Sequence, residues 1–116
     1  MTNDYPEIYE RLRALMGRLG REAPAVMGGF GSLHTASTAD GALPRKTKEL
    51  MALAIGIAVH CDGCIAYHVH DALKAGASPA EIVETIGVAV MMGGGPSVVY
   101  GCEALDAVDQ FSSSGD

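Results

Sequence analysis

The segment HCDGCIAYHVH, residues 60 to 70, sets two cysteines and three histidines within eleven positions. Three kinds of site use such a cluster: a zinc site, a structural disulfide, or a redox-active dithiol with a proton relay. Helical spacing sorts its members. With Cys61 at a helix start, Cys64 follows three residues on and His68 seven residues on. On a 3.6-residue period these three share one stripe. His70 falls two positions past His68, on roughly the opposite face, and His60 precedes the helix. Cys61, Cys64 and His68 are therefore the geometric unit. His60 is a candidate for the pocket mouth and for tuning Cys61. Tyr67, beside His68, is a candidate for the pocket wall, with plain packing as its alternative.

Two cysteines three apart in a first helical turn can close a disulfide, because their Cα atoms fall within the ~4.4–6.8 Å the bond needs. Free N–H groups and the dipole at a helix start favour a thiolate there. A histidine one turn after Cys64 can take its proton. A cysteine, a base and a second cysteine are the parts of an activated, self-resolving thiol. The alternatives stay open at this point. Cys-x2-Cys-x3-His supplies three of the four zinc ligands usually needed, and Cys102 or His34 would have to complete the set. A structural disulfide between Cys61 and Cys64 would close a very short loop and constrain the unfolded chain little. Two buried thiols beside a satisfied histidine are the third alternative.

Glu49 stands twelve residues before Cys61 and is the last charge before ten apolar residues. It lies three turns back on a helix that should pack beside the cluster's helix. From there a carboxylate can reach the histidine, directly or through water, and set its tautomer. The competing role is a surface pair with Arg45 at the four-residue spacing.

The elements that must position these residues read as about six helices with no convincing strand. The first covers roughly residues 6 to 19, with Ile8, Leu12, Leu15, Met16 and Leu19 as its apolar stripe. The second, about 24 to 36, is weakened by Gly28, Gly29 and Gly31. After an Asp40-Gly41 turn, a third begins near Pro44 and is apolar nearly all round beyond Glu49, so it should be central. The fourth carries the cluster and ends at Gly76. Ser78-Pro79-Ala80-Glu81 reads as a capping box opening a fifth helix through Met92. The GGGP run at 93 to 96 lacks the Lys and the strand of a phosphate loop and reads as a tight turn between helices. In the last helix Val98, Cys102, Leu105 and Val108 face one way, which makes Cys102 a buried, inert thiol. His34 reads as structural and His70 as a surface or subunit-contact residue. The expectation is a single all-α domain over residues 1 to 110, with residues 111 to 116 a flexible tail.

The totals narrow the setting. The chain has 116 residues, 48% of them apolar and only 19% charged, with small apolar types prominent and no Trp. Such a composition suits close helix packing, within one chain and between chains. A net charge of −6 with no basic stripe argues against nucleic acid and anionic membranes. The longest apolar run, residues 50 to 59, is too short to span a bilayer. The opening MTNDYPEIYE is polar and acidic, unlike a signal peptide, so a cytoplasmic location is expected. In that compartment a disulfide is more often catalytic than structural.

The span KTKELMALAIGIAVHCDGCIAYHVHDALKAGAS resembles the core of the carboxymuconolactone decarboxylase superfamily, in its alkylhydroperoxidase D-like branch, and MMGGGPSVVYG resembles the segment that follows in short members. The resemblance covers roughly residues 24 to 108. It implies an all-α fold and a relay in which Glu49 orients His68, His68 deprotonates Cys64, and Cys61 is the partner thiol. It implies reduction of a hydroperoxide with electrons from a thiol carrier of lipoyl or thioredoxin-like type, no cofactor or metal, and a homo-oligomer, hexamer rather than trimer. Some peroxidase members place a histidine between the cysteines; here Asp62 and Gly63 stand there, and Asp62 opposes ionisation of Cys61 by like charge. Two alternatives remain: a decarboxylase-like lyase using His68 without the cysteines, and a non-enzymatic oligomer switched by the disulfide.

Overall fold

A computed structural model of the chain describes residues 3 to 114. Six helices follow one another: α1 (Tyr5–Glu22), α2 (Pro24–Thr38), α3 (Arg45–Ala58), α4 (Asp62–Lys74), α5 (Pro79–Gly93) and α6 (Gly95–Ser114). No strand occurs among the described residues. The expected all-α class and helix count are both observed.

Local signals explain most of the boundaries. Asp4 caps α1 by accepting from the Glu7 N–H, with Pro6 in the first turn. The capping box at α5 is complete: Glu81 N–H donates to Ser78 Oγ at 3.1 Å, and Ser78 N–H donates to Glu81 Oε1 at 2.8 Å. Gly76 and Gly94 take the positive φ that ends α4 and α5, at 98° and 71°. The glycine run is thus a turn between α5 and α6, as its composition suggests.

The core is built by five of the six helices. Tyr5 and Tyr9 of α1 meet Leu53 and Ile57 of α3, Ile65 and Val69 of α4, Ile82 of α5, and Val108 and Phe111 of α6. The α3–α4 pair makes the most extensive contact, which puts the cluster-bearing helix in the centre of the molecule. Helix α2 forms despite its three glycines, yet buries no side chain.

Three expectations about faces are corrected. In α1, Leu15 and Leu19 are exposed, and the buried positions are Tyr5 and Tyr9, with Leu12 and Met16 half-buried. In α6, Val98, Cys102 and Leu105 face outward, so Cys102 is an exposed thiol. The buried face instead carries Ser97, Gly101, Ala104 and Ala107, ending in Val108 and Phe111. Close approach decides this: a Cβ on Gly101 would lie 2.6 Å from Ile86 Cγ2, so only small residues let α6 lie against α5. In α3, Met51 and Ile55 are exposed, as is Val59 at its C-cap, so this central helix keeps one apolar side uncovered by the described residues.

The last helix also outruns its expected end. Residues 111 to 114 are helical and Phe111 is 1% exposed, so they are not part of a flexible tail. Burial of one large aromatic carries the helix past the point where the polar sequence suggests a stop. The rest of the expected tail, residues 115 and 116, lies outside the described residues. No helix among the described residues is long and apolar enough to cross a membrane.

Candidate active site

The turn between α3 and α4 sets up the site. Val59 and His60 close α3, and His60 adopts a left-handed φ of 60°, unusual for a non-glycine residue. Cys61 N–H then donates back to the Gly56 carbonyl at 3.0 Å, which folds the two helices together. Cys61 is the N-cap of α4, and its Sγ accepts from the Cys64 N–H at 3.1 Å. The two cysteines are joined by a disulfide, with Cα atoms 5.1 Å apart.

Gly56 makes this packing possible. A Cβ there would stand 3.0 Å from Cys64 Cβ. Its absence lets the first turn of α4, where the free N–H groups lie, press directly on α3.

Glu49 and His68 meet across the same helix pair. Glu49 is fully buried, and His68 Nδ1 lies 3.2 Å from Glu49 Oε2. The surface pair with Arg45 does not form; burial and a direct histidine contact replace it. With Nδ1–H donating to the carboxylate, Nε2 is left as the nitrogen with the lone pair. Glu49 Oε1 has no hydrogen-bond partner among the described residues. A buried acceptor left unpaired costs about 1–3 kcal/mol, more when charged, so a group in this state usually has a use.

A cavity of about 570 Å³ opens over the pair. Cys61, Cys64 and His68 line one wall, and Leu12, Met27 and Phe30 supply much of the apolar remainder. No Lys or Arg lines it among the described residues. Tyr67 contributes to the wall and also stacks on Tyr9, with ring centroids 4.8 Å apart, so it both packs and borders the cavity. Burial pushes the Tyr67 and Tyr9 phenols up from their ordinary range, with Arg13 pulling back, so both stay neutral hydroxyls at neutral pH. Gly63 also lines it, and a Cβ there would stand 2.8 Å from Leu12 Cδ1. Leucine thus fills space that a histidine between the cysteines would need.

The expected residues divide as follows. The stripe Cys61, Cys64, His68 and the carboxylate of Glu49 come together. His60 turns away: its ring stacks on Tyr100 of α6 at 4.6 Å and is not part of the cavity lining. The positive φ carries its side chain to the other side of the α3–α4 turn. His70 points opposite to His68, as spacing requires, and is half-buried: it packs against Tyr9 at 3.9 Å and holds Asp71 Oδ1 through Nδ1 at 2.9 Å. His34, read as structural, lines the cavity. The signal for it is in α2, where Met27, Gly31 and His34 repeat at helical spacing and form the stripe turned toward α4.

Comparison with known proteins gives the family. Residues 24–107 match the carboxymuconolactone decarboxylase family. The chain belongs to that family. A family protein from Legionella pneumophila superposes with a TM-score of 0.90 at 44% identity, over 93% of this chain and 96% of that one. A family protein from Thermotoga maritima, described as a candidate for the antioxidative response, gives 0.73 at 31% identity over 78% of this chain and 94% of that one. A protein from Cupriavidus necator is 34% identical over 97% of this chain and its own full length.

Proposed function

We propose that the protein is a thiol-disulfide oxidoreductase that reduces organic hydroperoxides through Cys61 and Cys64. One observation carries the reading. A disulfide-linked cysteine pair at the start of α4 shares a cavity wall with His68, and a fully buried Glu49 holds the far nitrogen of that histidine.

In the reduced enzyme His68 Nε2 takes the proton of Cys64. The thiolate attacks the distal oxygen of the hydroperoxide, the O–O bond breaks, and the proton returns to the leaving alkoxide to give the alcohol. Cys64 is then a sulfenic acid. The Cys61 thiol condenses with it, releasing water and forming the disulfide. A carrier dithiol of lipoyl or thioredoxin-like type reduces the disulfide by exchange. The sum is hydroperoxide plus carrier dithiol giving alcohol, water and carrier disulfide. Such a cycle belongs in a reducing compartment, consistent with a cytoplasmic protein. The antioxidative role suggested for the Thermotoga maritima relative points the same way. The uncovered apolar faces of α2, α3, α5 and α6 support a homo-oligomer, a hexamer by the resemblance.

The test is a thiol count on reduced protein before and after one equivalent of cumene hydroperoxide, with mapping of any disulfide. Loss of two thiols as a Cys61–Cys64 link, restored by dihydrolipoamide, is expected. Cys64→Ser should abolish peroxide turnover, and Cys61→Ser should stop after one turnover as a sulfenic acid. Thiols that ignore peroxide, or a Cys61→Ser/Cys64→Ser protein that still turns over a carboxylated lactone, would overturn the reading.

A further inference from the structure

The redox reading uses one oxygen of Glu49. Its other oxygen, Oε1, is buried and without a partner among the described residues. One ligand atom each from His34 on α2, Glu49 on α3 and Asp71 on α4 lie within 4.8 Å of one another. Both carboxylates are already held from behind: Glu49 by His68 Nδ1 at 3.2 Å and Asp71 by His70 Nδ1 at 2.9 Å. Histidines and carboxylates that steady the ligands of a bound metal are arranged in this way. His34 and Asp71 are half-buried, which leaves a solvent side for water ligands.

We propose that His34, Glu49 and Asp71 form a site for a divalent transition-metal cation of the zinc class. One imidazole and two carboxylates match the nitrogen and oxygen donors such ions take, and the imidazole disfavours calcium or magnesium. Bonds of ~2.1 Å in a tetrahedron separate donors by about 3.4 Å, so the three groups must draw in. Helix α2 can supply that movement, since it buries no side chain. The site adjoins the thiol cavity, which His34 lines, and it uses the Glu49 that holds His68. An ion on Oε1 leaves Oε2 on His68, and it ties the cavity wall formed by α2 to α3 and α4. It uses neither cysteine, unlike the Cys-x2-Cys-x3-His set considered from the sequence. Arg45 borders the site, lining one surface pocket with Asp71 and another with His34, but it makes no ion pair with either carboxylate among the described residues. Its charge opposes a bound cation.

The experiment is Zn²⁺ titration by calorimetry on chelator-treated, disulfide-oxidised protein, with melting temperature followed in parallel. One Zn²⁺ per chain and a raised melting temperature are expected. Binding should weaken at least about tenfold in His34→Ala and in Asp71→Asn. It should tighten in Arg45→Gln and persist in Cys61→Ser/Cys64→Ser. The Co²⁺ form should lack sulfur-to-metal charge-transfer absorption. No Zn²⁺ binding by the wild type, or binding that survives His34→Ala and is lost with the cysteines, overturns the proposal. Should Asp71→Asn fail to fold, the imidazole NMR signals of the wild type decide. His34 must shift with Zn²⁺ while His60 does not, and an unmoved His34 counts against the site. The peroxide test is run in chelator, so either reading can fail alone.

Discussion

Glu49 is the residue on which the site turns. A carboxylate with no solvent contact keeps its place only if its surroundings repay the loss of water, and His68 is the partner that does so on one side. Glu49→Gln keeps the shape and removes the charge. The rate constant for peroxide should then fall about 10–100-fold, as when a carboxylate that orients a histidine is lost. Its pH profile should change shape, while the melting temperature stays within a few degrees. An unchanged rate and profile would remove Glu49 from the relay. Gly56→Ala tests the same site from the packing side. The added methyl meets Cys64 Cβ at 3.0 Å, so α4 must shift at its first turn, at a cost of about 1–3 kcal/mol. Thermal melting should show the loss, and re-formation of the disulfide after reduction should slow. At this scale much was legible in the sequence. The cysteine–histidine stripe follows from helical spacing, and Glu49 stood out as the last charge before an apolar run. His60, a candidate for the pocket mouth, stacks on Tyr100 instead, because its direction depends on a positive φ that no spacing rule contains. The role of Gly56 has no sequence signature, because a missing side chain leaves no pattern.

At the scale of elements, caps and breakers announce themselves and faces do not. Ser78 and Glu81 define the start of α5 by chemistry confined to four residues, so the sequence alone places it. That cap also carries a testable pH dependence. The Ser78 backbone N–H, with the Lys46 ammonium at 2.9 Å, holds the exposed Glu81 carboxyl below the usual carboxylate range. A folded-state value below the unfolded one stabilises the fold above the ordinary value of ~4.3, and the contribution fades as pH falls through the folded-state value. The drop in melting temperature between pH 6 and pH 3 should be smaller in Glu81→Gln than in the wild type. Equal drops would assign acid sensitivity to other carboxylates. Faces are harder. Hydropathy favours Val98, Cys102 and Leu105 as the buried side of α6, yet the helix buries serine, glycine and alanine there. Contact distance between α5 and α6 sets that choice, and a sequence lists volumes without distances.

The inverted faces become intelligible at the scale of the whole molecule. Met91 and Met92 at the end of α5 are 73% and 77% exposed, and Val98, Val99 and Leu105 on α6 join them with Met51 and Ile55 on α3 and Val59 at its C-cap. A monomer rarely exposes that many large apolar side chains on neighbouring helices. The same residues that hydropathy marks for burial are buried neither by their own helix pair nor by any other of the described residues. Hydropathy records that a side chain avoids water and not which molecule shelters it, so the error on α6 is itself an argument for association. Small residues hold the chain together inside, and the larger aliphatic ones are left for partners, which fits a chain of this length with limited core volume. Light scattering on the wild type should therefore give a mass well above 12.0 kDa, six times that value for the hexamer proposed. Leu105→Glu puts a charge into the contact and should dissociate it, while the Cys61–Cys64 pair still reacts with stoichiometric peroxide. Modification of Cys102, exposed on that face, by a bulky maleimide should be slow in the wild type and fast in Leu105→Glu. A monomeric wild type with a freely reactive Cys102 would mean that these helices meet water after all, and that their apolar surface serves a partner other than a second copy.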